Sequence, residues 1–321
     1  MSDLTNNQAA VGADGAPLAA GERHAEVSAE PAASPSPAIE RISDGLQEAI
    51  KWVIGSNRRP PRRFKSLLHG VWLRHPLHPL LSDIPIGSWV IAAIFDVIWL
   101  IAPGPASWAA MAAGVVVIVG IAAALGAVAT GLADWSDSYG AERRTGLWHG
   151  LLNSTALLLY IVSLVLRLQA PSWESLPGAI LGFAGVVAVT IGGYLGGEMV
   201  FGKGTGVNHA AWEAGNEEYE AVMPVAQMPA NQLQRVVVAG TPVIVLRMGD
   251  KYHAISATCT HAGGPLDEGT LDGGVVTCPW HGSRFSLTTG QPLTGPATMA
   301  QPRYDVRVRD GMIELKRHDS H

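Results

Sequence analysis

The segments Cys259-Thr260-His261 and Cys278-Pro279-Trp280-His281-Gly282-Ser283 decide what the last third of this chain can be. Each offers one thiol and one imidazole, as a Cys-x-His pair and a Cys-x-x-His pair, with sixteen residues between His261 and Cys278. They hold the only two cysteines in 321 residues, so no sulfur remains for any other use. Two thiolates and two neutral imidazoles suit a 2Fe–2S cluster, with sulfur on one iron and nitrogen on the other. Replacing two thiolates by imidazoles removes negative charge from one iron, so an electron is accepted at higher potential. Each imidazole also keeps a second ring nitrogen able to donate a hydrogen bond. Tetrahedral zinc is the rival for the same four donors, although the Cys-x-His spacing is unusual for it.

Around these loops the sequence reads as a small β domain. Short alternating or β-rich runs cover 233–238, 242–246, 252–255, 275–277, 304–308 and 313–315. Turn signals at Gly249-Asp250, Asp272-Gly273-Gly274 and Asp310-Gly311 separate them. The expected fold is an antiparallel sandwich or barrel over about a hundred residues. Gly263, Gly264 and Pro265 in the first loop, and Pro279 and Gly282 in the second, supply the tight backbone that brings amides close to sulfur.

From 219 to 316 the chain resembles the Rieske family and matches its signature at Cys259, His261, Cys278 and His281. The resemblance implies that Cys259 and Cys278 hold the inner iron. His261 and His281 then hold the outer iron and face a redox partner. Gly295-Pro296-Ala297 is similar to the family's proline-containing third loop, which covers the cluster. Rieske proteins of cytochrome bc complexes carry an extra cysteine in each loop, joined as a disulfide; here those places hold Gly264 and Trp280. Their serine and tyrosine donors correspond to Ser283, which is kept, and Phe285, which is not a donor. Fewer donors imply a potential below that of a quinol-oxidising relative. No stretch after His281 is long enough for the mononuclear-iron domain of a ring-hydroxylating oxygenase. The resemblance is therefore to Rieske ferredoxins and the small Rieske subunits of reductases: an electron carrier that works with a reductase or an acceptor protein.

The preceding half is of another kind. The composition is 48% hydrophobic and 15% charged, and four apolar stretches at 84–101, 107–132, 147–166 and 176–201 approach or exceed the roughly 20 residues needed to cross a bilayer. The expected fold class is a multidomain membrane protein, with a four-helix transmembrane bundle followed by an all-β domain. Glycines of the second and fourth stretches read as close helix packing. Arg58, Arg59, Arg62, Arg63, Lys65, Arg74, Arg143 and Arg144 lie on one side, and Arg167 is the lone basic residue on the other. Both termini and the β domain are then cytoplasmic. A net charge of −5 argues against nucleic acid, and the basic stretch 58–65 reads as a contact with anionic lipid.

The expected divisions are a disordered tail over 1–37, an amphipathic helix with a basic segment over 38–65, a four-span domain over 66–215 and a cluster domain over 219–317. His75 and His78 precede the first stretch, His149 opens the third and His209 follows the fourth. Simple threading brings all four to the cytoplasmic edge, where they could ligate a haem b, form another metal site or contact a quinone. They also suit an interfacial belt with no cofactor. The run Arg74-His75-Pro76-Leu77-His78-Pro79, with Asp83-Ile84-Pro85-Ile86-Gly87, is similar to an uncharacterised bacterial four-helix membrane domain. Asp96 lies deep in the first stretch and needs a partner there, for which Tyr160 is at comparable depth. No phosphate loop, nucleotide fingerprint or nucleophile–base pair is present; Gly202-Lys203-Gly204-Thr205-Gly206 reads as a linker.

Overall fold

The computed structural model describes residues 37–56 and 63–318. The expected disordered tail, and the arginines at 58, 59 and 62, lie outside the described residues apart from Pro37. From Ser43 onward the described residues form one compact unit, which holds both the apolar helices and the β domain.

Helix α1 (Pro37–Ile54) is the expected amphipathic helix. A short α2 (Arg63–His69) precedes four long helices, α3 (Leu77–Ile101), α4 (Ser107–Trp135), α5 (Gly140–Gln169) and α6 (Leu176–Gly197). Each of the four is long and apolar enough to cross a membrane. Helices α4 and α6 begin where their apolar runs do, whereas α3 and α5 each begin seven residues earlier, because a helix continues through polar sequence once its apolar part is fixed. Helix α6 ends in a π-helical turn over Glu198–Gly202. Helices α3 and α5 each pack on α4 and α6, so α3 and α5 stand on a diagonal.

The bundle core contains Trp89, Val117, Tyr160 and Val189 among many alanines. Tyr160 stacks on Trp89 with ring centroids 4.2 Å apart, and its hydroxyl donates to the Gly182 carbonyl at 2.9 Å. A Cβ on Gly185 would lie 2.5 Å from the Tyr160 ring. With the other ring face against Trp89, the tyrosine has no room to retreat. Gly185→Ala is expected to destabilise the bundle by about 1–3 kcal/mol. Gly193→Ala, with open space around its Cβ, should be near neutral. Thermal unfolding in detergent distinguishes the two.

Asp96 is not partnered by Tyr160, contrary to what their comparable depth suggests. Its carboxylate receives both ends of the Arg167 guanidinium, Nη1 to Oδ1 at 2.8 Å and Nη2 to Oδ2 at 2.6 Å. Both side chains are buried. Arg167 is thus no loop charge: it lies at the end of α5 but turns inward, because the carboxylate across the bundle outweighs the pull of water at the helix end. Lys65 also departs from its expected place on lipid. It is fully buried, with Nζ 2.7 Å from Asp137 Oδ2. Burial pulls its pKa below the usual lysine value, and Asp137 offsets part of that.

The β domain has ten strands: β1 (Glu220–Pro224), β2 (Leu233–Val238), β3 (Thr241–Met248), β4 (Lys251–Ser256), β5 (Thr270–Asp272), β6 (Val275–Thr277), β7 (Arg284–Ser286), β8 (Pro292–Thr294), β9 (Arg303–Arg309) and β10 (Met312–Arg317). A six-stranded sheet runs β1-β10-β9-β4-β3-β2 and a four-stranded sheet runs β5-β6-β7-β8. Every pairing between strands is antiparallel. One core lies beneath the smaller sheet, formed by Ile244, Leu246, Ile255, Leu266, Val276, Phe285 and Leu287, and both cysteines belong to it.

Candidate metal centre

The two cysteine loops are built by one device. In the first, the Cys259 amide donates to the Gly264 carbonyl at 2.9 Å, and the Gly263 amide donates to the Cys259 carbonyl at 2.8 Å. In the second, the Cys278 amide donates to the Ser283 carbonyl at 2.8 Å, and Gly282 to the Cys278 carbonyl at 3.2 Å. The fourth residue after each cysteine is a glycine at φ +76°, a left-handed conformation that closes the loop and disfavours any side chain. The strands β6 and β7 deliver the second loop, and β4 and the Leu266–Glu268 turn deliver the first.

The loop tips converge. Cys259 and Cys278 are buried and close enough for their sulfurs to hydrogen bond, while the His261 and Ala262 amides point at the Cys259 sulfur. The His261 and His281 rings lie with centroids 4.8 Å apart. A Cβ on Gly264 would sit 2.9 Å from the Cys278 sulfur, so only glycine leaves that space open. His261 Nδ1 is buried with no hydrogen-bond partner, as a metal-binding nitrogen would be. Burial, then the neighbouring His281, holds this imidazole well below the ordinary histidine range, in the neutral form that ligates. Hydrogen bonding to the Cys278 sulfur, then burial, holds the Cys259 thiol well above its usual value, so iron must displace its proton. Among the described residues no three His, Cys, Asp or Glu side chains converge on one ion.

The third loop reaches the centre through Ala297, whose amide donates to Ser283 Oγ at 2.9 Å. That contact uses the hydroxyl oxygen as acceptor and leaves its O–H available to donate. A donor of this kind stabilises the added electron. Ser283→Ala is expected to lower the reduction potential by roughly 65–130 mV, a hydrogen bond to charge converted at 59 mV per tenfold. Redox titration of the cluster signal measures it; an unchanged potential would remove Ser283 from the tuning role.

What covers the histidines was not legible in the sequence. Tyr139, at the start of α5, stacks on His281 with centroids 5.1 Å apart and planes at 15°. His281 is only 5% exposed. The family resemblance implies that both imidazoles face a separate protein; here the bundle's own loop lies on one of them. Helix α2 is the second contact: Ser66 Oγ accepts from the Gly295 amide at 3.3 Å, and a Cβ on Gly295 would be 2.8 Å from the His69 ring. His69 in turn meets Asp134 at the end of α4, Nδ1 to Oδ1 at 2.7 Å. Neither Tyr139 nor Ser66 carries any sequence signal for this role. Beside the imidazoles opens a cavity of about 300 Å³, lined by Tyr139, Glu142, Lys203, His209, His261 and His281 among others.

Of the four histidines read as one constellation, the structure sets His78 and His149 ring to ring, with centroids 6.1 Å apart. His75 is exposed, with Nδ1 3.0 Å from the Pro76 carbonyl. His209 sits against the first cysteine loop: its amide donates to the Thr260 carbonyl at 3.2 Å, and its Nε2 meets Gly204 O at 3.1 Å.

Sulfur and imidazole loops on a small antiparallel barrel, behind four apolar helices, define a one-electron iron–sulfur domain joined to a membrane part. Residues 218–305 match the family described as Rieske [2Fe-2S] domain. Residues 74–209 match a family described as "Predicted membrane protein (DUF2231)". Ferredoxin CarAc of Metapseudomonas resinovorans is 37% identical over 99 residues, which are 30% of this chain and 92% of that protein. The anthranilate 1,2-dioxygenase ferredoxin subunit of Burkholderia cepacia is 35% identical over 74 residues, 23% of this chain and 68% of the relative. A solved complex of reduced oxygenase and oxidized ferredoxin in carbazole 1,9a-dioxygenase contains a chain 36% identical, with a TM-score of 0.30, covering 32% of this chain and 94% of that one. The chain belongs to the Rieske [2Fe-2S] family: it is an electron-transfer protein of the membrane that holds one 2Fe–2S cluster.

Proposed function

We propose that this chain is a membrane-anchored carrier that moves single electrons on the cytoplasmic side, with both termini and the cluster domain in the cytoplasm. Cys259 and Cys278 hold one iron, and His261 and His281 hold the other. The convergence of two buried sulfurs and two imidazoles on twin loops carries this reading. Four helices cross the bilayer within a domain spanning 66–215, and 219–317 form the cluster domain. Removing Arg167 from the loop charges strengthens the orientation argument. The two connections on the far side, 102–106 and 170–175, hold no lysine or arginine, whereas Arg143 and Arg144 lie near the cluster side. Large apolar side chains exposed around the bundle, such as Ile94, Leu125, Leu158 and Ile180, meet lipid.

When bound, the cluster accepts one electron and releases it. The protein's share is to bury the sulfurs and His281 and to aim amides at the Cys259 sulfur. Trp280, 43% exposed beside His281, is the apolar surface open to a reductase or acceptor protein. The cavity against His261 and His281 favours a second reading, in which a quinone reaches the imidazoles directly.

The test uses sealed membrane vesicles of both orientations, reduced by an impermeant donor. Cluster reduction in inside-out vesicles alone supports the reading; reduction in right-side-out vesicles alone overturns the orientation. A shift of the cluster's EPR signal on adding a quinone analogue would favour the quinone reading over the carrier.

A further inference from the structure

His78 and His149 lie outside the cluster site, and their setting is repeated. His78 stands in the first turn of α3, and His149 is the tenth residue of α5, on the diagonal pair of helices. His78 Nδ1 lies 2.9 Å from the Ala127 carbonyl on α4. His149 Nδ1 lies 2.8 Å from the Gly192 carbonyl on α6. A carbonyl only accepts, so each Nδ1 carries the proton and each Nε2 keeps its lone pair.

Four residues beyond each carbonyl comes a glycine whose bare Cα makes room for the ring. A Cβ on Gly131 would lie 2.8 Å from His78 Cε1, and one on Gly196 would lie 3.1 Å from His149 Cε1. The α3–α4 and α5–α6 hairpins therefore use ring, carbonyl and glycine in the same way twice. Packing alone needs no such duplication. An imidazole whose Nδ1–H is fixed by a carbonyl is oriented as a metal ligand through Nε2. Asn153 does not occupy that role: its Nδ2 is 3.5 Å from His149 Nε2 but gives its better bond, 2.8 Å, to the His149 carbonyl.

The spacing fits one metal atom. With metal–nitrogen bonds of about 2 Å and each nitrogen about 1.1 Å from its ring centre, two axial imidazoles on one metal have centroids about 6.2 Å apart. The observed separation is 6.1 Å, with planes at 85°. Among the described residues no third His, Cys, Asp or Glu joins the pair. A bare ion would be left short of ligands. A metal that brings four in-plane nitrogens and asks the protein for two axial ones is satisfied.

We propose that His78 and His149 are the axial ligands of one b-type haem, a second one-electron centre in the bundle. Tyr139, on the face of His281, precedes α5, and His149 lies about 15 Å further along it at 1.5 Å per residue. One electron leaves the reduced cluster and converts ferric haem to ferrous; no bond or proton changes place. The haem goes beyond the carrier reading and does not depend on it.

The experiment is haem, iron and acid-labile sulfide analysis of the full-length protein, purified in detergent from haem-supplemented cells. One haem per chain with a low-spin bis-histidine spectrum is expected. His78→Ala and His149→Ala should each lose more than tenfold of the haem at unchanged sulfide, while His75→Ala keeps it. His149→Met, which can still ligate, should change the spectrum to that of a histidine–methionine haem, a shift that mere loss of packing does not produce. Full sulfide with no haem overturns the proposal, as does haem retained alike in both alanine variants, or a metal ion bound there without porphyrin. Loss of sulfide with haem intact would instead strike the cluster reading.

Discussion

Protein carrying Cys278→Ser is expected to hold less than about one-tenth of the parent's iron and acid-labile sulfide, because the proposed ligand is the thiolate and serine ionises far less readily. The geometry leaves no substitute. Cys259 and Cys278 are the only sulfurs of their kind, both are buried, and Gly264 holds open the space in front of the Cys278 sulfur. The loss should not stay local. Cys278 shares a core with Phe285, Leu287 and Val276, and a cluster that binds only the folded state adds its binding free energy to folding. Without it, that core surrounds a void lined by ionisable groups, and the β domain should melt well before the bundle. Iron and sulfide analysis with EPR of the dithionite-reduced protein reads the first effect. Far-UV circular dichroism against temperature reads the second, with the helical signal expected to persist. Normal sulfide in the variant would dismiss Cys278 as a ligand.

The paired cysteine and histidine loops were legible because cluster chemistry dictates residue type and spacing, and the four long apolar helices because a bilayer dictates length. Strands β2 and β6 were readable to the residue, since β-branched runs bounded by turn residues mark them. Strands β5, β7 and β8 are as short as β6 but lack its β-branched run, and three residues show no alternation. Other features depend on the folded topology. Asp96 and Arg167 are 71 residues apart, and nothing local ties them. Tyr139 looks like an ordinary loop residue until β6 and β7 bring His281 beneath it. Lys65 read as part of a basic run, and only the position of Asp137 explains its burial. In each case the missing information was which helix end or loop lies opposite.

The Asp96–Arg167 pair supports the other large expectation. The guanidinium makes a two-pronged contact with the carboxylate, and its Nε donates to Ser163 Oγ at 3.2 Å. The Ser163 hydroxyl is itself donated to the Gly178 carbonyl at 2.6 Å. Asp96→Ala keeps the cation buried but removes the groups that replaced its water. A broken buried pair costs about 3–5 kcal/mol, and a bundle surrounded by lipid or detergent offers little relief. Arg167→Leu should cost a similar amount, by stranding the carboxylate. The pair itself is a different matter. Two charges moved out of water recover little beyond their own desolvation, so Asp96→Leu with Arg167→Leu together should regain most of the loss. Thermal unfolding in detergent, followed by the helical signal, gives the four corners of the cycle. If the double variant is as unstable as the sum of the singles, the two residues are not coupled. The bond between α3 and α5 would then be incidental to what holds the bundle together.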